Sequence, residues 1–359
     1  MKRCLGILCL FLSVLWSVSA GVAHADFYVV PASRGVGTPI SAVPYTISGS
    51  GHYYLTKSLS YTGMAGNAIT VDADNVTLDL MGFSLIGPGK AVGTASGVYM
   101  YGRENVTVRN GTVRDFGAYG ITDGSQQIGS TDHTFMNVHV LNNGNSGIEV
   151  YGSNHHVIRC KAVNNGRHGI YALTGSIVKE SICNNNGIDG IHAGPGATVS
   201  GNTSRYNGSN GIYAREASTI IQNTVRNNTQ SGIAAGNYCT VVNNTSNGNT
   251  LSGVYAESYV TATGNTIVDN NANNLEHHAG LRVSWGSIIK GNTLSQNTRY
   301  NIRVWGSDNA VEENLVTQSA AGIYFVSNGN FYANNRASGN TTNYFNTAGQ
   351  TNGGGNYSF

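Results

Sequence analysis

The side chains best suited to chemistry fall in four successive segments. They are Asn145-Ser146-Gly147-Ile148-Glu149-Val150-Tyr151, Arg167-His168-Gly169-Ile170-Tyr171, Asp189-Gly190-Ile191-His192 and Asn210-Gly211-Ile212-Tyr213-Ala214-Arg215. Each is built around Gly-Ile, and the last three glycines are 21 residues apart. If such segments stack one coil above another, Glu149, Arg167, His168, Tyr171, Asp189, His192, Tyr213 and Arg215 gather within roughly 15 Å. Arginine pairs with a carboxylate, imidazole accepts a proton near neutral pH, and a phenol can supply one. On that basis Arg215 or Arg167 is the charge neutraliser, His192 or His168 the base, and Tyr171 or Tyr213 the acid. Asp189 would orient a histidine. The competing reading is plain: His168 and Asp189 precede the glycine where other segments carry Ser146, Asn210, Ser231 and Ser252, so both are also expected as turn residues.

A second set lies two residues past each glycine: Tyr99, Thr122, Glu149, Tyr171, His192, Tyr213, Ala234, Tyr255, Arg282, Arg303 and Tyr324. Two further on come Tyr101, Tyr151, Arg215, Glu257 and Trp305. Stacked, these make a stripe of rings and charges suited to the apolar faces and carboxylates of sugars. Tyr99, Tyr101, Glu149, Tyr151, Tyr255, Arg282, Arg303, Trp305 and Tyr324 are the expected substrate contacts. Against this, outward Tyr and Arg also stabilise or solubilise a sheet without binding anything.

The elements that must position these residues follow from the period. The marker is Gly97, Gly120, Gly147, Gly169, Gly190, Gly211, Gly232, Gly253 and Gly280, continuing at Asn301, Gly322 and Asn343. A second marker keeps phase at Asn202, Asn223, Asn244, Asn265, Asn292 and Asn334, with Glu313 the exception. Between markers the apolar positions alternate, as Ile191 and Ala193 around His192, which describes a short strand with one face buried. Three such strands per repeat and no helical stretch predict an all-β solenoid, a single-stranded parallel β-helix of about twelve coils and roughly 55–60 Å in length. Gly and Asn are expected at corners that need positive φ, with stacked Asn side chains bonded along the rod.

The chain has 359 residues, 48 of them Gly and 5 Pro, and 11% charged. Lys2 and Arg3, the apolar run Leu5–Val18 and Ala23-His24-Ala25 describe a signal peptide over residues 1–25, hence export to periplasm or outside the cell. No later stretch is apolar enough to span a bilayer, so no integral membrane segment is expected after cleavage. Without that segment Lys+Arg and Asp+Glu balance at 18 minus 18, which excludes the basic stripe of a nucleic-acid binder. Residues 26–66, with Pro31, Pro39 and Pro44, are expected as an N-terminal cap, 67–347 as the β-helix and 348–359 as a C-terminal tail. Cys160, Cys183 and Cys239 are odd in number and read as inert core residues.

A family resemblance adds to this. Tyr45-Thr46-Ile47, Ala68-Ile69-Thr70-Val71, Asn75-Val76-Thr77-Leu78-Asp79-Leu80 and Gly82-Phe83-Ser84-Leu85-Ile86-Gly87 resemble the first coils of secreted right-handed β-helix repeat proteins. Asn105-Val106-Thr107-Val108-Arg109-Asn110-Gly111-Thr112-Val113 is similar to their next coil. The superfamily, pectate-lyase-like and NosD-like, implies a right-handed rod but includes lyases, C5-epimerases, hydrolases and accessory proteins, so fold leaves activity open. The D-P-H motif of mannuronan epimerases and the polygalacturonase aspartates are absent.

Three readings stand: an exported uronan lyase or C5-epimerase, a non-catalytic carbohydrate-binding or cell-surface structural protein, and a NosD-like periplasmic accessory protein. A linear, neutral or acidic polysaccharide is the expected partner in the first two. No cofactor or dedicated metal is expected, and nothing in the residues supports calcium. Asp132-His133, His155-His156 and His277-His278 fall in irregular or inter-strand segments, where a histidine pair is more often a solvated loop than a metal site; His277-His278, in the insertion before Gly280, is the alternative second local site.

Overall fold

The computed structural model describes residues 37–124 and 130–359. The expected signal peptide and the first part of the expected cap lie outside them. Among the described residues all regular elements are strands, and the pairings between successive coils are parallel. A 14-stranded sheet takes one strand from each coil, from Tyr45–Ile47 to Thr342–Phe345. Twelve of these strands begin at or beside the markers. Tyr45–Ile47 and Asn67–Val71 carry no Gly-aliphatic signal, so the coil count read from the markers falls short. The other two strands of each coil build a 27-stranded sheet. Its two columns join where Thr107–Arg114 and Thr134–Leu141 run unbroken through both.

The short strands of the regular coils obey the period of two. In Ile191–Ala193 the ends are buried and His192 between them faces out, because a pleated strand sends alternate side chains to opposite faces. Ile148, Ile170, Ile191, Ile212 and Ile233 form one column of a core that runs the whole rod.

Two columns of buried asparagine fix the corners. In one, the backbone N–H and Nδ2 of Asn202 donate to Oδ1 of Asn223 at 2.9 and 3.0 Å, and Asn223 does the same to Asn244. The other runs through Asn143, Asn165, Asn186, Asn207, Asn228, Asn249, Asn270 and Asn297. The first ladder continues from Asn292 through Asn314 and Asn335. The expected continuation at Glu313 and Asn334 is therefore one residue early. Those two are the left-handed corner positions, with φ of 56° and 55°, which precede each ladder residue as Asn243 precedes Asn244.

The marker glycines recur along the chain for a different reason than expected. Gly190 has no positive φ; a Cβ there would lie 1.9 Å from Ser204 Oγ and 2.7 Å from the Gly211 carbonyl of the next coil. Close approach of stacked backbones, rather than a left-handed turn, requires glycine at this position.

Within the segment expected as a cap, Thr38–Ile40 pairs with Gly51–Leu55, Tyr45–Ile47 with Asn67–Val71 and Leu59–Ser60 with Ser84–Ile86. In the tail, Thr351–Asn352 and Tyr357–Ser358 add to Phe331–Ala333 and Arg336–Ser338. Cys160, Cys183 and Cys239 are free and buried. Burial raises all three thiols, Cys160 to about 12 and Cys239 to about 11, which leaves them unreactive. No helix among the described residues is long and apolar enough to cross a membrane.

Candidate functional site

Two neighbouring columns on the 14-stranded sheet make the site. The first is the outward residue of each strand. Tyr171, His192 and Tyr213 are register partners in Ile170–Thr174, Ile191–Ala193 and Ile212–Ala214. Their rings stack at centroid distances of 4.6 and 4.7 Å. The second column is the residue before each marker: Gly147 N–H donates to the His168 carbonyl, Gly169 N–H to that of Asp189 and Gly190 N–H to that of Asn210.

The columns meet at Asp189. Its Oδ2 lies 3.2 Å from Nδ1 of His192 and 3.4 Å from Nδ1 of His168. Its Oδ1 accepts from the backbone N–H and Nδ2 of Asn210, both at 3.0 Å. Burial acts to raise the Asp189 carboxyl, yet hydrogen bonding and charge from the two imidazoles and Asn210 outweigh it and hold the group well below the usual carboxylate range. The turn reading of His168 and Asp189 is thus half right: their backbones are corners, and their side chains point into the cluster. His168, Asp189 and His192 each offer an atom within 4.8 Å of the others, a spacing that could hold a metal ion. The sequence groups these three, with Asp189 orienting a histidine, but no metal site is expected among them from it.

One coil away, Glu149 is buried, in contrast to the outward contact expected of it. Ser146 Oγ and Tyr151 Oη donate to its two oxygens at 2.5 and 2.6 Å. Burial and then the Glu149 hydrogen bond push the Tyr151 phenol far up. Tyr119, which sequence reasoning missed, is raised by burial and by Glu149 in the same way. Tyr171 is also raised, by burial and then Glu149, with Arg215 and Arg167 acting against. Asp123 was missed too. Burial lifts its carboxyl to about 7 despite the Tyr151 N–H bound to it. The signal for Tyr119 was its place in the column that holds His168 and Asp189.

Tyr171, Asp189, His192, Tyr213 and Arg215, with Ser209 and Asn210, line an open groove of about 410 Å³. Arg215 is half-exposed, 3.8 Å from Glu216. Arg167 reaches the cluster through its charge on Tyr119 and Tyr171.

The rest of the stripe is in register but interrupted. Tyr99 and Tyr101 stack at 6.4 Å near one end. Ala234, between Tyr213 and Tyr255, separates the groove from a second group. There Arg282 lies over Tyr255, Arg303 over Trp305, and Tyr324 against Phe345 at 4.9 Å. Arg303 is buried, not outward as expected, because Tyr300, Trp305 and Tyr324 enclose it. Tyr300 and Phe345 had not been singled out.

The histidine pairs divide. His133 and His155 are buried core, not solvated loop: their rings stack at 5.0 Å, and Nδ1 of each accepts a backbone N–H, from Val106 and His133 respectively. Burial lowers them to about 4 and about 3. His277 is exposed and packs edge-on to Trp305.

The family described as "Right handed beta helix region" matches residues 96–251 and 215–359. No curated protein matches the sequence at a significant level. Among solved structures, the A-module of mannuronan C-5 epimerase AlgE6 from Azotobacter vinelandii is similar at a TM-score of 0.58 and 17% identity, covering 86% of this chain and 91% of that one. The Dettilon tailspike protein gp208 gives 0.55 and 16%, covering 81% and 60%. The catalytic unit of the GH87 alpha-1,3-glucanase of Streptomyces thermodiastaticus gives 0.52 and 16%, covering 87% and 63%. At these identities the likeness is one of fold.

Proposed function

The chain belongs to the right-handed beta helix family, and from that premise we propose that it is an exported protein acting on a linear polysaccharide, by uronate β-elimination or C5 epimerisation. The observation that carries this reading is the convergence of Tyr171, Asp189, His192, Tyr213 and Arg215 on one open groove, with buried His168 packed against Asp189. Its neighbours in fold include an enzyme named for mannuronan and a glucanase, which supports a polymer substrate by analogy.

The roles follow from which atoms are committed. Nδ1 of His192 faces Asp189, so Nε2 is the nitrogen available to take the C5 proton. Asp189 stays charged, holds the tautomer and stabilises the imidazolium that forms. Arg215, which lines the groove, neutralises the uronate carboxylate and the charge that develops when the proton leaves. Tyr171 and Tyr213 flank the imidazole, and a phenol from this pair delivers a proton to the leaving oxygen or to the opposite ring face.

The register of the outward column also supports a second reading, a carbohydrate-binding protein without turnover, which needs only a stripe such as exposed Tyr101 beside Tyr99 and the Arg282–Tyr255 pair. Incubation with alginate, pectate and other uronans separates the two. Unsaturated product or solvent-proton exchange at C5 is expected for the enzyme. Binding with neither signal assigns the non-catalytic role.

A further inference from the structure

Arg282 and Arg303 stand in register on adjacent coils, in Leu281–Val283 and Tyr300–Val304. Rings pack against both: Arg282 lies 4.3 Å from the Tyr255 centroid and 5.5 Å from Trp305, and Arg303 lies 4.4 Å from Trp305. Arg303 is 2% exposed. Nε and Nη1 of each arginine are buried and donate to no group. Among the described residues no carboxylate lies within ion-pair distance of either. His278 beside them adds no compensating charge: burial and then Arg282, His277 and Arg303 lower its pKa and hold the ring neutral.

A guanidinium cannot shed its proton, so buried Arg303 and half-buried Arg282, one coil apart, carry like charges that no ion pair offsets, Glu276 acting on Arg303 only as a more distant charge. Ring faces return less than the desolvation of an unpaired ion costs. The missing partner is an anion. Two guanidinium forks suit the planar oxygens of a carboxylate. Tyr255 and Tyr324 continue the same column on either side of the pair, as ring contacts for the neighbouring units of a polymer. We propose that Arg282 and Arg303 form a carboxylate-recognition subsite for an acidic sugar unit, resting on the polysaccharide reading above. Arg282 follows His192 by four coils, about 19 Å along the rod. The subsite therefore selects and positions an acidic chain at a distance from the reactive groove.

The test uses the whole chain with an oligouronate, a neutral gluco-oligosaccharide of equal length, acetate and sulfate. Arg282→Gln and Arg303→Gln are expected to weaken oligouronate binding about tenfold or more while leaving neutral-sugar binding unchanged. Arg282→Lys, which keeps charge but loses the fork, is expected to fall between. Arg282 is half-buried, so its variants serve even if Arg303→Gln does not fold. Oligouronate binding that is equal in Arg282→Gln and wild type overturns the subsite and spares the polysaccharide reading. Failure of wild type to bind either sugar overturns both. If acetate or sulfate raises the melting temperature as much as the oligouronate, and Arg282→Gln abolishes this, the pair holds a structural anion and the sugar assignment is overturned.

Discussion

Asp189 holds His192 by a 3.2 Å contact between Oδ2 and Nδ1, three residues apart across one corner of a coil. Asn210, from the next coil, grips the other oxygen of the same carboxylate. An orientation this fully determined costs conformational freedom, which is the arrangement expected of a group that must present one ring nitrogen.

Replacing Asp189 by Asn keeps the shape and removes the charge that supports an imidazolium. Turnover on a uronan substrate is expected to fall about a hundredfold or more, with the far-ultraviolet spectrum of the rod unchanged. Full activity in the variant would remove Asp189 from the mechanism.

The ladder asparagines carry stability that neighbouring corner asparagines do not. Asn244→Ala strands the Asn223 N–H and Nδ2 that donate to it and is expected to cost about 2–3 kcal/mol in denaturant unfolding. Asn243, at φ 53°, tolerates Gly with a change within about 0.5 kcal/mol. Similar losses at both positions would refute the assignment.

The marker glycines predict a comparable contrast. Gly190→Ala drives a methyl into Ser204 and the Gly211 carbonyl and is expected to cost roughly 3 kcal/mol. At Gly196, φ is 67° and no heavy atom lies within 4 Å of an added Cβ. Asn there is expected to cost under about 1 kcal/mol. Thermal melts of the two variants decide it.

Acid sensitivity is expected from His133 and His155. Unfolded, each titrates near 6.5; folded, at about 4 and about 3. Below 6.5 the unfolded chain therefore binds protons that the native rod does not, and stability falls as pH drops from 6.5 towards 3. Asp123, raised from 3.8 to about 7, acts in the opposite sense between those values, so the histidine part is read by difference. His155→Asn retains an acceptor for the His133 N–H and is expected to flatten the acid limb of stability against pH. An unchanged slope would show that the histidines do not control it.

Much of the fold was legible in the sequence. A 21-residue step with period-two strands can bury its apolar face only by stacking, so Ile148, Ile170, Ile191 and Ile212 had to form a column, and Tyr171, His192 and Tyr213 had to share the opposite face. That argument runs along one strand and is local. What it could not reach is which way a side chain leaves a corner, and how closely two coils approach. Those depend on backbone contacts between residues from different coils. Hence the sequence placed Glu149 and Arg303 at the surface, where tertiary packing buries both, and left His168 and Asp189 ambiguous between turn and site. Only the stacked structure decides that Asp189 lies between two imidazoles, because that meeting combines three coils and two columns, and no spacing within one repeat encodes it.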